Sequence, residues 1–145
     1  KQKTGLTVND IAKRLIDYSF HAPTVSWPVA ETIMVEPTES ESLQEIDRFC
    51  DAMLLIAEEI IEVEKGIYPK DNNVISNAPH TIKQLIAEDW SNPYTKQKAA
   101  YPYDYDTNRK FWSPVSRINN AFGDRNLVCS CSFQEETITE EKKCA

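Results

Sequence analysis

The chain has 145 residues, 41% hydrophobic and 27% charged, which suits one domain with its own core and is too short for two of typical size. Its 23 acidic residues outnumber the 16 basic ones, and the net charge of −7 excludes the basic surface that nucleic acids and anionic membranes attract. No apolar run reaches the roughly 18 residues of a membrane-spanning helix, and the first residues lack the apolar core of a signal peptide, so we expect a soluble, non-secreted protein.

The first predicted element is an amphipathic helix over residues 7–18. Its apolar residues recur at helical spacing, at Val8, Ile11, Ala12, Leu15 and Ile16. Thr7 is placed as the N-cap, and Asp10 lies in the first turn. The stretch that follows contains three prolines, which break helices, together with residues that favour extended backbone. It predicts two short strands or one bent strand within residues 25–36.

A second, longer helix is predicted over residues 43–65. Ser42 and Glu45 have the spacing of a capping box, the apolar positions continue at helical spacing to residue 61, and Lys65 and Gly66 are typical of a helix end. At 1.5 Å per residue this helix would be about 34 Å long, so we expect it to be the spine of the domain.

The remainder of the chain has weaker patterns. Two short helices are predicted over residues 77–87 and 93–100, each with a capping Asn or Ser ahead of a proline in its first turn. Residues 101–114 are aromatic and polar without a period, which predicts an ordered loop held by buried rings.

Residues 115–126 are predicted to be irregular, and residues 127–131 alternate like a strand. The fold class expected from these elements is α+β, with helices 7–18 and 43–65 packed on one face of a small antiparallel sheet built from 25–36 and 127–131.

Four sequence stretches resemble a known family. They are DIAKRLIDYSFHAPT at 10–24, MVEPTESES at 34–42, LQEIDRFCDAM at 43–53 and RINNAFGDRNLVCSC at 117–131. Together they are similar, in order and spacing, to the C-terminal part of the P protein family of the glycine cleavage system. Ser19 and Glu31 stand where that family usually has glycine, and Phe122 where tyrosine is common, so the backbone at the first two is in question.

The resemblance implies the small C-terminal domain of a fold type I enzyme that uses pyridoxal phosphate. Residues 1–133 would form this domain, and residues 134–145 a frayed tail. The parent would decarboxylate glycine and pass the aminomethyl group to the lipoyl arm of the H protein, with the cofactor as electron sink. A dimeric parent is expected, and this domain would form a wall of its active-site cleft.

The family's cofactor lysine follows a histidine and precedes a glycine-rich run, a setting that this chain lacks. Lys13, Lys83, Lys96 and Lys98 are interpreted as exposed helix residues. The catalytic lysine is therefore expected upstream, in the remainder of the P protein. Without it, and with three scattered glycines, the chain alone is predicted to be inactive and to bind no pyridoxal phosphate.

Three side chains are candidates for lining the cleft. His21 could contact substrate or cofactor, or it could cap a turn through the backbone. Arg117 and Arg125 offer paired donors that suit a carboxylate, although each could equally form a surface ion pair. Arg125 is the stronger candidate, because Gly123 and Asp124 indicate a tight turn that would hold it. His80, at a predicted helix start, is assigned a structural role.

The cysteines predict no metal site. Cys129 and Cys131 are too close for a zinc knuckle and lack a second ligand pair, so they are either small buried hydrophobes or redox-sensitive thiols at the cleft mouth. Residues 31–64 hold eleven acids and one base, which favours a solvated helix face. An alternative function is a free-standing acidic module that binds a basic partner. The location expected is the cytoplasm of a bacterium or the mitochondrial matrix of a eukaryote.

Overall fold

The computed structural model describes residues 3–103 and 110–128. The elements in chain order are α1 (Val8–Asp17), β1 (Thr24–Val25), β2 (Ile33–Met34), α2 (Leu43–Glu64), α3 (Ile82–Ile86), α4 (Lys96–Ala100) and α5 (Asn120–Arg125). Helices beside a two-stranded antiparallel sheet confirm the α+β class at this coarse level. The boundary proposed at residue 133 lies outside the described residues.

Helix α1 begins as its sequence predicts. The Thr7 hydroxyl accepts from the Asp10 N–H, and the Asp10 carboxylate accepts from the Thr7 N–H at 2.8 Å, which completes a capping box. The helix ends in a Schellman motif, in which Phe20 N–H donates to Leu15 O and Ser19 N–H to Ile16 O. This motif needs a left-handed residue, and Ser19 takes that conformation with φ +64°.

Helix α2 also has the predicted limits. Ser42 caps it by accepting from the Glu45 N–H, whereas the Ser42 N–H donates to Glu41 Oε1 at 3.1 Å. The helix ends in a second Schellman motif, with Gly66 at φ +77° and the Ile67 N–H donating to Glu62 O. Here glycine supplies the conformation that serine must adopt at the end of α1.

The sheet is smaller than predicted. Strands β1 and β2 pair antiparallel through two residues each, and the tip between them bends through Ser26 and Glu31, both at positive φ. The core is formed instead by α1, α2 and the segment after α2, with the buried side chains Leu6, Leu15, Tyr18, Ala52, Ile56, Val63, Val74, Ile75, Tyr94 and Ala99. The prediction that both helices pack on one face of a sheet was therefore wrong, because strands of two residues with exposed or half-buried side chains offer no such face.

The short helices exist, but they begin later than predicted. Helix α3 is capped by Thr81, whose capping box with Gln84 fixes its start, and α4 is capped by Thr95. The predicted starts at residues 77 and 93 were wrong because the threonine caps define the first turns. Each threonine hydroxyl accepts a hydrogen bond from the backbone N–H three residues later.

The C-terminal part of the described chain contains a helix that the sequence did not predict. Helix α5 spans Asn120–Arg125 and is capped by the Asn119 side chain. Gly123 and Asp124 lie inside this helix, so the tight turn predicted there was wrong. Of the strand predicted at 127–131, Leu127 and Val128 are described and are not in a strand, and the rest lies outside the described residues.

The aromatic segment is partly packed. Tyr103 packs against the core and its hydroxyl donates to Asp51 Oδ2 at 3.3 Å. Tyr101 and Trp112 meet edge to face at 5.8 Å between ring centres, but Phe111 is 54% exposed. The described ends of the predicted loop are thus held by some of its rings, not all of them.

Candidate functional site

A set of ionisable side chains is enclosed between α1, α2 and the segment after α2. We name it the charged cluster, and it comprises Arg14, Asp17, Glu59, His80 and Tyr94. The Arg14 guanidinium donates to both carboxylate oxygens of Glu59, with Nε to Oε2 at 2.9 Å and Nη2 to Oε1 at 2.6 Å, and Nη1 donates to Asp17 Oδ2 at 2.9 Å. This two-point contact with Glu59 is the strongest geometry available to an arginine and a carboxylate.

Arg14 also reaches helix α4. Its Nη2 donates to Lys98 O at 2.9 Å and its Nη1 to Ala99 O at 3.3 Å. Both carbonyls lie in the last turn of α4, where backbone oxygens have no partner within the helix. A single buried side chain therefore connects α1, α2 and α4.

His80 extends the charged cluster to the segment after α2. Its Nδ1 lies 2.9 Å from Asp17 Oδ2, its Nε2 lies 2.9 Å from the Tyr94 hydroxyl, and its backbone N–H donates to Asp17 Oδ1 at 2.8 Å. Asn77 Nδ2 donates to the Tyr94 hydroxyl at 2.9 Å, which directs the hydroxyl proton toward His80 Nε2. The structural role assigned to His80 is thus confirmed.

Burial and charge act against each other in the charged cluster. Burial alone would lower the pKa of Arg14, but the charges of Glu59 and Asp17 raise it above its ordinary value. Burial alone would raise the pKa of Asp17, but the hydrogen bonds from His80 and the charge of Arg14 lower it. Burial raises the pKa of Tyr94 to about 12. The cluster is therefore held with Arg14 and Asp17 charged and Tyr94 neutral at physiological pH.

The segment from residue 110 lies against the end of α1. The Lys110 ammonium donates to Asp17 O, and the Phe111 N–H donates to Ser19 Oγ at 2.9 Å. Burial lowers the pKa of Lys110 to about 8. Among the four lysines interpreted as exposed helix residues, the interpretation is confirmed for Lys13 and Lys83. It was wrong for Lys96 and Lys98, which are half-buried.

The predicted cleft residues lie in different surroundings. His21 is exposed between α1 and β1, and Arg125 is exposed in the last turn of α5. Arg117 Nη1 pairs with Asp10 Oδ1 at 2.9 Å, and its Nη2 donates to Ile75 O at 3.2 Å. Within residues 3–103 and 110–128, no hydrogen bond or ion pair joins any two of the three. Cys129 and Cys131 lie outside the described residues.

A groove opens between the hairpin and the start of α2. We name it the α2 groove, and it has a volume of about 380 Å³ with the lining residues Phe20, Val35, Glu36, Pro37, Glu41, Glu45, Ile46, Phe49 and Cys50. Most of its lining surface is apolar, and the glutamates Glu36, Glu41 and Glu45 also line it. His21 directly follows Phe20, one of the lining residues, in the chain.

The acidic stretch of residues 31–64 is not the fully solvated helix face that the sequence favours. Glu59 is buried against Arg14, Glu62 pairs with Lys98, and Glu64 pairs with Lys3 at 2.7 Å. Glu45 pairs with Arg48 within α2. Several carboxylates of this stretch thus have partners inside the domain, which weakens the case for an acidic face reserved for a basic partner.

The charged cluster was not predicted from sequence, although one signal was present. Glu59 falls in the same helical stripe as Ala52, Ile56 and Val63, all of them buried, and a carboxylate in such a stripe must have a buried cation. Nothing in the local pattern identifies Arg14 as that cation, because the partners are 45 residues apart.

Among the described residues, no group of three or more His, Cys, Asp and Glu side chains is arranged to hold a metal ion. No described helix is long and apolar enough to cross a membrane. Every buried side-chain nitrogen and oxygen in this part of the chain has a hydrogen-bond partner, so the charged cluster offers no polar atom to a ligand.

Comparison with known protein families gives one match, over residues 1–80, to the family described as glycine dehydrogenase, C-terminal domain. The match covers more than half of the 145 residues. The chain belongs to this family. The resemblance seen in the sequence motifs is thereby confirmed.

Similarity to whole glycine dehydrogenases continues beyond residue 80. A Prochlorococcus marinus protein named glycine dehydrogenase (decarboxylating) is 60% identical over 136 residues, which are 94% of this chain and 14% of that protein. A Schizosaccharomyces pombe protein named as a mitochondrial glycine dehydrogenase (decarboxylating) is 56% identical over 132 residues, 91% of this chain and 13% of its own length. A Brucella suis relative named glycine dehydrogenase (decarboxylating) is 56% identical over 132 residues, 90% of this chain and 14% of its own. The glycine dehydrogenase C-terminal domain thus spans about one seventh of these relatives.

The residues described in this glycine dehydrogenase C-terminal domain do not fit pyridoxal phosphate. The N-termini of α1 to α4, where a phosphate could be held, are capped by the side chains of Thr7, Ser42, Thr81 and Thr95. Gly66 ends α2 and Gly123 lies inside α5, so neither contributes to a phosphate-binding loop. Lys110 has a lowered pKa, but its ammonium is used by Asp17 O.

Proposed function

We propose that this chain is the C-terminal domain of a pyridoxal-phosphate-dependent glycine dehydrogenase (decarboxylating), the P protein of a glycine cleavage system. The observation that carries the proposal is the 56–60% identity to proteins of that name over 91–94% of the chain. Those relatives are about seven times longer, so the rest of the enzyme is expected in the same polypeptide or in a partner subunit.

In this proposal the parent decarboxylates glycine and transfers the aminomethyl group to the lipoyl H protein. The bound cofactor supplies the electron sink for the departing carboxylate. Its lysine lies in the remainder of the parent, because the described residues of this chain provide no cofactor setting. A bacterial cytoplasm or a mitochondrial matrix is the proposed location, in keeping with the bacterial relatives and with the mitochondrial name of the yeast relative.

The domain itself is proposed to form one wall of the active-site cleft. The charged cluster supports this role, since it locks α1, α2 and α4 together and would keep the surface residues in fixed positions. Of the predicted cleft residues, His21 and Arg125 have exposed side chains that could face a substrate. Arg117 is proposed to position the 110–118 segment, because Asp10 and Ile75 take its donors.

Comparing the longer polypeptide with the isolated chain tests this function. The longer polypeptide, expressed with its upstream sequence and given pyridoxal phosphate and lipoyl H protein, should release CO₂ from carboxyl-labelled glycine. The 145-residue chain under the same conditions should release none. A matched variant of the longer polypeptide, with the lysine of the upstream histidine–lysine motif changed to alanine, controls for cofactor-dependent release.

Two results would contradict the proposal. One is release of CO₂ by the isolated chain, which would put the catalytic lysine within it. The other is the finding that no upstream sequence with a cofactor lysine exists in the source genome, which would favour a free-standing acidic module instead. In that case a basic protein partner, and not glycine, would be the ligand to seek.

A further inference from the structure

Helix α2 carries two apolar stripes on different sides. One stripe, formed by Ala52, Ile56 and Val63 and interrupted by the paired Glu59, is buried in the domain. The other follows the 3.6-residue period along the whole helix and is exposed. It comprises Leu43, Ile46, Cys50, Leu54, Ala57 and Ile61, and we name it the outer stripe.

The outer stripe is unusually apolar for a surface that is exposed to solvent. Leu43 is 73% exposed, Leu54 65% and Ile61 45%, although a surface helix ordinarily has polar residues opposite its buried face. At 100° per residue the outer stripe is centred roughly 150° from the buried stripe, so it lies nearly on the opposite side of the helix. A helix that is apolar on two opposite sides is typical of one buried on both.

Four of the seven acidic residues of α2 lie in a narrow strip beside the outer stripe. This strip contains Asp47, Asp51, Glu58 and Glu62. These four acids border the outer stripe along one edge. Glu45 and Glu59 lie toward the buried side of the helix, and Glu64 lies at the C-terminal end of the outer stripe, where it pairs with Lys3. An apolar centre with a charged border is the usual arrangement of a protein interface.

The apolar surface continues beyond the helix. Ile46 and Cys50 of the outer stripe also line the α2 groove, together with Val35 and Pro37. Val35 is 50% exposed. The outer stripe and the α2 groove thus form one continuous apolar surface along α2, larger than isolated exposed residues would produce.

We propose that the outer stripe is the surface on which the preceding part of the parent polypeptide packs. This inference rests on the proposed function, because it takes the occupant to be the remaining six sevenths of the relatives' length. The contacting surface of that part should be apolar, with basic side chains facing Asp47 and Asp51. A second copy of this chain fits less well, since each copy carries a net charge of −7 and like charges repel at close approach.

Cys50 lies within the outer stripe and is exposed, so its thiol serves as a probe of what covers the stripe. In the folded longer polypeptide, alkylation of Cys50, followed by mass spectrometry of its peptide, should be at least about tenfold slower than in the folded isolated chain. The variants Leu54→Gln and Ile61→Gln in the longer polypeptide should each raise the rate about tenfold, because each removes apolar contact area. Circular dichroism confirms that both variants remain folded.

Glu58→Gln is the matched control, because it introduces glutamine, as the two test variants do, but on the acidic strip beside the outer stripe of the same helix. It should change the alkylation rate less than about threefold, because border charges contribute little to an interface. A folded longer polypeptide in which Cys50 reacts as fast as in the isolated chain overturns the interface. Protection that increases with protein concentration also overturns it, in favour of a second copy. Absence of a cofactor lysine from both a longer polypeptide and a partner subunit contradicts the proposed function itself, so the two failures are distinguishable.

Discussion

Removing one partner of the buried pair of Arg14 and Glu59 should destabilise the domain far more than removing both. The informative variants are Arg14→Met, Glu59→Leu and the double variant that combines them. Met and Leu approximate the length of the side chains they replace, so the charge is lost with little change in packing volume.

The structure sets the expected size of this effect. Arg14→Met leaves Glu59 and Asp17 buried, at 6% and 3% exposure, without their cation, and it removes the donor to two carbonyls of α4. Breaking a buried ion pair from one side costs about 3–5 kcal/mol, a large part of a typical folding free energy of about 5–15 kcal/mol. The double variant should recover at least about 2 kcal/mol of that loss, because no unpaired carboxylate of Glu59 remains.

Urea unfolding followed by far-ultraviolet circular dichroism measures these free energies at pH 7. The single variants should also lower the melting temperature by about 10 °C, at about 3 °C per kcal/mol for a chain of this length. If either single variant is too unstable to fold, Glu59→Gln keeps the shape of the side chain and one of the two hydrogen bonds from Arg14, and it gives a smaller loss in the same direction. A single variant that loses less than about 1 kcal/mol, or a double variant whose loss equals the sum of the singles, would refute the reasoning.

Four other changes have defined outcomes. Glu31→Gly should raise the free energy of unfolding by about 1 kcal/mol, because φ at Glu31 is +60°, and a denaturation curve without a shift would contradict this. The pKa of Lys110 is about 8 in the folded chain and about 10.4 in unfolded chains, so the folded state binds fewer protons between these pH values. The stability of the wild type relative to Lys110→Met should therefore rise from pH 8 to 10. A stability difference that does not change with pH would contradict this. In the parent, Arg125→Ala should reduce glycine turnover more than Lys13→Ala, and unchanged kcat and KM would count against a cleft position. If Cys129 or Cys131 lies at the cleft mouth, mild oxidation should lower the parent's activity and reduction restore it, whereas slow thiol modification with constant activity would indicate buried thiols.

The helices were predictable where local chemistry decides their limits. Thr7 with Asp10 fixes the start of α1, and Gly66 fixes the end of α2, so the sequence alone placed both within a residue. The starts of α3 and α4 were misplaced because several capping residues compete within a few positions, and the sequence pattern does not rank them. Helix α5 was missed because Asn119 caps only six residues without an apolar period.

The charged cluster could be predicted only in part, for a physical reason. The carboxylate of Glu59 in a buried stripe requires a cation, but the identity of that cation depends on how α1 and α2 pack. His80 depends likewise on Asp17, 63 residues earlier in the chain. The left-handed conformations at Ser19 and Glu31 were in contrast signalled by the sequence, since the resemblance to the family implies glycine at both positions.

The central claim is that this chain is part of a glycine-decarboxylating enzyme. Its most direct test is depletion of a native extract with an antibody raised against the 145-residue chain. Depletion should remove the glycine-dependent release of CO₂ from the extract, and the precipitate should regain it on addition of lipoyl H protein and pyridoxal phosphate. An extract that keeps its full glycine-decarboxylating activity after this chain has been removed would contradict the claim.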